Sequence, residues 1–364
     1  MAENVAVSWG SALGELRRWA SAQEGVKLAP GKISVPKPAR DEFYRRASQV
    51  QKLLAASVLA DEMAAAEVLA RRFSSAREGL CRAAGLSRYA LAPRLEQFVE
   101  DPREAAARPL QALVLDAASG LVPLAEVDGA AREAARAPFE VLLRAAYEAW
   151  VYLSVVSALG PVRFWVVAAE GPDSLVAVET DEVRAGWQVP SRELRVPEAV
   201  FRTREGETYA LKMECAREID YYDAMVPLAR DTSAGGNTFE LLGHRVLLLY
   251  RLADEGSVAP VVNRKEKRQV HCDLAVSVLA PREMENRSYL GVFIQRAQKL
   301  RIKRPLQVVT YGAAKGFPLE MADDPAAPAV CCRQVGLDEE ALGAIARELQ
   351  SEPIRNVAFN PISH

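Results

Sequence analysis

Few of the motifs that announce a particular chemistry occur in these 364 residues. There is no GxxxxGK[ST]; the nearest text, YGAAKGF at Tyr311–Phe317, has a lysine but neither the phosphate-loop spacing nor the Ser/Thr. No GxGxxG follows a strand, and no GxSxG elbow and no CxxC pair appears. The common nucleotide loops, the serine nucleophile elbow and a ribbon-type zinc site are therefore unsupported. Histidine is scarce (His244, His271 and His364), too scarce for a His-rich metal site. The five cysteines (Cys81, Cys215, Cys272, Cys331 and Cys332) are odd in number and irregularly spaced, which points to a reducing compartment rather than a disulfide framework.

Long apolar runs are missing as well. The longest, Val151 to Val167, is broken by Gly160-Pro161 and Arg163, short of the roughly 18 uninterrupted residues of a membrane span. The opening MAENVAVSWGSALGELRRW carries Glu3 and no apolar h-region, so it does not read as a signal peptide. A cytoplasmic protein with no membrane association is the expectation. Nor is there an excess of one charge: 46 Lys+Arg stand against 48 Asp+Glu, a formal net charge of -2, which predicts no indiscriminate attraction to nucleic acid. That total hides a cancellation. Between Asn263 and Arg304 there are 11 Lys/Arg against 4 Asp/Glu, and the remainder carries 35 against 44.

What is present divides into two textures. From Asp41 to Ala84, apolar residues recur three and four apart (Phe43, Val50, Leu53, Leu54, Val58, Leu59, Met63) among Ala, Arg and Glu, with no proline between Pro38 and Pro93. Asp41 is placed to cap this helical stretch, and Gly79 and Gly85 to interrupt or stop it. Further helix is expected over Arg94–Phe98 and from Ala130 to Leu159, the latter as two helices or one kinked helix because of Pro138. Residues 22–40, punctuated by Pro30-Gly31, Pro36 and Pro38, read as an extended arm. After Pro161 come short β-rich runs separated by Gly, Pro, Asn and Asp, among them HRVLLLYRLA, QVHCDLAVSVLAP, SYLGVFIQRAQ and PLQVVTYG. The stretch Leu337–Leu349 is an amphipathic helix entered through Asp338, with Leu342, Ile345, Ala346 and Leu349 on one face. The fold class is α+β, with a helical, partner-binding domain over 1–125 and a mixed-sheet domain over 126–364.

Two small clusters invite a chemical reading and do not sustain it. His271, Cys272 and Asp273 are consecutive, but strand alternation sends Cys272 to the face opposite its neighbours, so the three do not converge. Adjacent Cys331 and Cys332 form an unstrained disulfide only with difficulty.

The richer constellation is Tyr147-Glu148-Ala149-Trp150 on the helix before the β-region, followed by Asp273 and by the run SYLGVFIQRAQ. In these residues the sequence resembles the PD-(D/E)xK nuclease superfamily, in its McrC-like branch associated with restriction and defence. That branch carries a YExW-like helix, then a β-meander with an Asp in the second strand and an acid-x-Lys signature in the third. The resemblance covers about residues 139–312 and implies a restriction-endonuclease-like core. It also implies that Glu148, Asp273 and the position of Gln295 form the catalytic set, with Asp273 as the metal ligand. In such a site two carboxylates hold Mg²⁺ against the scissile phosphate and the lysine orients or activates water. Here Gln295-Arg296-Ala297 stands in the strand Leu290–Ala297, where the acid-x-Lys belongs. Gln295 is a neutral ligand and Ala297 has no amine; Arg296 or Lys299 are the only substitutes at hand. The resemblance thus implies a degenerate nuclease.

Charge supplies the second signal. Arg264, Lys265, Lys267 and Arg268 precede the Asp273 strand, and Lys299, Arg301, Lys303 and Arg304 follow the next segment. Both groups flank one inferred sheet, so they are expected to form a single positive surface for phosphates. No interleaved aromatics favour stacking on single strands. The expected function is a non-catalytic nucleic-acid-binding subunit of a hetero-oligomeric defence or DNA-processing complex, needing no cofactor. The alternatives are a Mg²⁺-dependent nuclease with an altered site and a structural subunit whose basic loops meet an acidic protein.

Overall fold

The computed structural model describes residues 8–169, 175–185, 194–215, 245–280, 283, 286, 293, 295–312 and 330–350. His244, His364, Lys315, most of the run 288–294 and the Cys215 side chain lie outside the described residues. The protein is α+β and divides into two compact units: residues 1–71 with 94–146, and residues 72–93 with 147–364. The division falls inside a helix, at Ala146/Tyr147, past the boundary expected at residue 125.

The first unit is helical. Helix α1 (Trp9–Ala22) begins at Ser8, whose hydroxyl accepts from the Ser11 amide at 3.2 Å, and buries Ala12, Leu13, Leu16 and Ala20. The expected extended arm is instead a hairpin of β1 (Lys27–Ala29) and β2 (Lys32–Ser34), pairing Leu28 with Ile33. Gly31 at φ 72° makes the turn possible. The long periodic stretch is two helices, α2 (Arg40–Val58) and α3 (Ala60–Ala84), separated at Leu59. Asp41 lies in the first turn of α2 rather than at its cap, which is Ala39, and Gly85 at φ 66° follows α3. Helices α4 (Pro93–Glu100), α5 (Pro102–Ala107) and α6 (Gln111–Ser119) follow, and Asp101 caps α5 by accepting from the Glu104 amide at 3.0 Å.

Helix α7 (Leu124–Ala158) runs unbroken through Pro138. The carbonyl that proline deprives of a partner belongs to Ala134, on an exposed face of the helix. Among the described residues α7 is the one helix long and apolar enough to cross a membrane, and most of that apolar stretch is buried in the protein.

The second unit holds strands β3 (Arg88–Ala90), β4 (Pro161–Ala169), β5 (Leu175–Thr180), β6 (Glu182–Arg184), β7 (Leu194–Arg195), β8 (Ala199–Thr203), β9 (Thr208–Cys215), β10 (Arg245–Leu252), β11 (Val262–Asn263), β12 (Arg268–Gln269), β13 (Leu274–Val278), β14 (Leu306–Thr310) and β15 (Val330–Gln334). An eight-stranded mixed sheet has the order β15-β14-β13-β10-β9-β8-β4-β5; β12-β11-β7 and β3-β6 form small sheets. Strands β13, β14 and β15 are mutually parallel and the rest of the large sheet is antiparallel.

Both faces of the sheet are covered, so β13 and β14 are buried at every position. On one face Trp165, Val200, Leu248, Tyr250, Ala275 and Val308 pack with Phe293, Ala297 and Leu300. The last helix, Glu339–Gln350, buries Leu342, Ile345, Ala346 and Leu349 as its periodicity predicts. Asp338 caps it, Oδ1 accepting from the Glu340 and Ala341 amides at 2.9 and 3.3 Å.

The segment expected to be the strand Leu290–Ala297 is different. Residues 293 and 295–299 are helical. The reason is topological: β13 and β14 are parallel neighbours, and a parallel pair needs a crossover, for which a helix packed on the sheet is the usual solution.

Candidate nucleic-acid interface

The two basic runs are joined by backbone geometry. The first lies in the turn between β11 and β12, where Asn263 Oδ1 accepts from the Glu266 amide at 3.2 Å and the Lys267 amide donates to Arg264 O at 3.2 Å. The second follows the helical turn 295–299. Gln269 Nε2 donates to Lys299 O at 2.6 Å, tying β12 to the end of that turn. Cys272 and Ile302 form a parallel bridge, with the Cys272 amide donating to Arg301 O at 3.2 Å and the Lys303 amide to Cys272 O at 2.8 Å.

Lys265, Lys267, Arg268, Arg301 and Lys303 are exposed, and Arg264 and Lys299 half-buried. Arg304 is not part of this surface. It is buried, its guanidinium donating to Asp273 O at 3.4 Å and Leu349 O at 3.2 Å, where it anchors the last helix. Lys299, Arg301 and Lys303, although alternate in sequence, do not share one face of a strand. Lys299 ends a helical turn and Arg301 has left-handed backbone, so the three reach the surface by different routes.

Cys272 is fully buried, its Sγ 3.0 Å from Leu274 O, and burial pushes its thiol pKa up. His271 is exposed on the other side; desolvation, then Arg301 and Lys303, lower its pKa against an opposing pull from Asp273. The non-convergence of His271, Cys272 and Asp273 follows.

The residues implied as a catalytic set are not assembled. Asp273 sits at the start of β13, both carboxylate oxygens engaged: Oδ1 accepts from Lys303 Nζ at 2.9 Å and Oδ2 from the Arg251 amide at 2.8 Å. Glu148 is buried rather than water-facing. Its helical neighbours mark its place: Tyr147 donates to Gly336 O at 2.8 Å and packs edge-on to Tyr311, while Tyr152 donates to Arg245 O at 2.6 Å. Those partners lie past the end of β14 and at the start of β10, beside Ser277 in the register, whereas Asp273 lies before Leu274. The length of β13 separates the two ends. Gln295 is exposed on the helical turn, not on a strand beside Asp273. These residues do not fit a Mg²⁺ centre: one carboxylate is already clamped and the other members are elsewhere. Among the described residues no group of three or more His, Cys, Asp or Glu gathers as metal ligands.

A second charged cluster has no counterpart in the motifs read from the sequence. On β9, Lys212 Nζ stands 3.7 Å from Glu214 Oε2 and 4.0 Å from Glu198 Oε1, and Arg195 of β7 reaches Glu214 Oε1 at 3.9 Å. Glu198 Oε1 also accepts from the Met213 amide at 3.0 Å. All four side chains are at least nine-tenths buried. The available signal was Lys212 and Glu214 two apart, on one face of a strand and interleaved with the apolar Leu211 and Met213. Charges at that spacing in an interior strand demand partners.

Comparison with protein-family profiles, with curated proteins and with solved structures finds no match to this chain.

Proposed function

We propose that the chain is a non-catalytic nucleic-acid-binding subunit of a multi-protein defence or DNA-processing complex in the cytoplasm. It binds the phosphate backbone through the surface made by Arg264–Arg268 and Lys299–Lys303. The observation that carries this reading is the joining of two basic runs, about 30 residues apart in sequence, by the Gln269–Lys299 bond and the Cys272–Ile302 bridge. The engagement of Asp273 by Lys303 and Arg251 supports a binding rather than a cleaving role. The sheet unit is read as a relative of the restriction-endonuclease core with its chemistry lost, and the helical unit as the contact for protein partners.

Fluorescence anisotropy with labelled DNA duplexes, single strands and RNA across NaCl concentrations tests this. The expected result is an affinity that falls log-linearly with salt and weakens when Lys299, Arg301 and Lys303 are replaced by Ala. Undetectable binding at low salt overturns it, and co-purification with an acidic subunit free of nucleic acid would favour the structural alternative.

The alternative, a Mg²⁺-dependent nuclease using Glu148 and Asp273 with an altered third position, is separated by incubating DNA and RNA with Mg²⁺ or Mn²⁺. Cleavage that is lost in Asp273→Ala would overturn the non-catalytic reading, and no cleavage rejects the nuclease.

A further inference from the structure

Left-handed backbone is where this chain otherwise places glycine. Among the described residues, positive φ occurs at Gly25, Gly31, Gly85, Gly120, Gly160, Gly206 and Gly336, and at only two residues with a side chain: Lys267 at 51° and Arg301 at 49°. Both exceptions are basic, both are exposed, and both lie on the surface described above.

The local geometry makes the choice of residue informative. Lys267 closes the turn between β11 and β12, its amide returning to Arg264 O at 3.2 Å. Arg301 follows the helical turn 295–299, its amide returning to Gln298 O at 3.4 Å. A hairpin turn and the residue just past a helix are the two places where glycine, or failing it asparagine, relieves the clash of Cβ with the backbone. The chain obeys that preference after α3, where Gly85 stands, and after α6, where Gly120 stands. At 267 and 301 it accepts strained backbone to keep a cationic side chain.

Structural duty does not explain that choice. Neither side chain hydrogen-bonds or ion-pairs with any described residue, in contrast to Lys303, held by Asp273, and Arg304, buried against Leu349. Strain retained at a position without a packing role points to function.

We propose that Lys267 and Arg301 are the principal phosphate contacts of the basic surface, held by left-handed backbone at two points joined through Gln269 and Lys299. This assignment rests on the nucleic-acid reading above and deepens it: the recognised feature is the phosphate backbone, not the bases.

Glycine substitution separates charge from conformation, because glycine keeps the backbone and removes only the cation. The test uses the full chain, a fluorescein-labelled 24-base-pair DNA duplex, and anisotropy between 50 and 300 mM NaCl. Lys267→Gly and Arg301→Gly are each expected to weaken binding about 5–10-fold at 100 mM NaCl and to lower the salt slope by about 0.9. Thermal melting by circular dichroism is expected to be unchanged or raised. If either glycine variant fails to fold, Lys267→Asn and Arg301→Asn, which also tolerate left-handed backbone, carry the same expectation. Native affinity and slope in both variants would overturn the assignment while leaving the surface reading intact. No binding by the native chain at any salt would overturn both.

Discussion

The sheet unit contains two groups of charged side chains built from the same residue types and set in opposite surroundings. Around Lys212, an amine, two carboxylates and a guanidinium are withdrawn from water and meet at 3.7–4.0 Å. Around Lys267 and Arg301, cations stand in solvent on a turn and a helix end. In the first group each charge is answered by another, so the set is close to neutral and ties β7 and the bend before β8 to β9. In the second, the Lys267 and Arg301 side chains make no hydrogen bond or ion pair with any described residue, and their field extends outward to whatever anion approaches. Burial decides which use a Lys or Arg serves: inside, stability hostage to its partners; outside, attraction with little bearing on the fold.

Lys212 puts that contrast to its hardest test. Lys212→Met preserves the apolar stem and removes the cation that Glu198 and Glu214 share, leaving two buried carboxylates with Arg195 as their nearest remaining cation, a situation in which a buried charge cluster is strongly destabilised. A loss of about 3–5 kcal/mol in urea unfolding is expected. A loss under about 1 kcal/mol would mean that water reaches the cluster and that it belongs with the exposed group.

Asp273 is the intermediate case, because its carboxylate is buried while its partner Lys303 keeps 43% of its side chain exposed. Asp273→Asn retains an acceptor for the Arg251 amide and removes the charge that holds Lys303. About 1–2 kcal/mol of stability is expected to be lost, since one partner remains in solvent. Freed from its counter-charge, Lys303, already on the basic surface, offers its full charge to a phosphate, so duplex affinity is expected to rise about 2–5-fold. Weaker binding would assign the Asp273–Lys303 pair itself to recognition.

Much of this architecture is legible in the sequence, and the failures have physical causes. The last helix announces itself through a 3.6-residue apolar period and an Asp at its entry, both local signals. Strands β10, β13 and β14 show as compact apolar runs because both faces of the sheet are covered. SYLGVFIQRAQ looks equally strand-like, since a short apolar run does not distinguish a buried strand from a buried helix. Parallel pairing of β13 with β14, a long-range fact, decides that residues 295–299 are helical. The same limit governs the site: the two basic runs are visible in the text, whereas the burial of Arg304 depends on Leu349, 45 residues on, and the cluster around Lys212 on Arg195 and Glu198, brought alongside by strand pairing.

Tyr147 tests a polar group that packs rather than binds. Burial raises its phenol pKa above the ordinary range, and its hydroxyl serves the Gly336 carbonyl while its ring meets Tyr311. Tyr147→Phe keeps the ring and removes the donor, so a loss of about 1 kcal/mol is expected, with nucleic-acid affinity unchanged. A change in affinity would place the YExW segment within reach of the ligand and strengthen the nuclease resemblance.

The smallest expected effect bears most directly on the contrast. Replacing Lys267 or Arg301 by glycine relieves a left-handed conformation that costs an ordinary residue roughly 1–2 kcal/mol. The same change enlarges the unfolded ensemble by roughly 0.5–1 kcal/mol relative to alanine. The two terms oppose, so unfolding free energies are expected to stay within about 1 kcal/mol of the native chain, on the stabilised side if on either. A marked destabilisation would show that these side chains hold the fold, as Arg304 does. Stability preserved alongside weakened duplex binding would show that at these two positions backbone strain has been retained for the charge it presents.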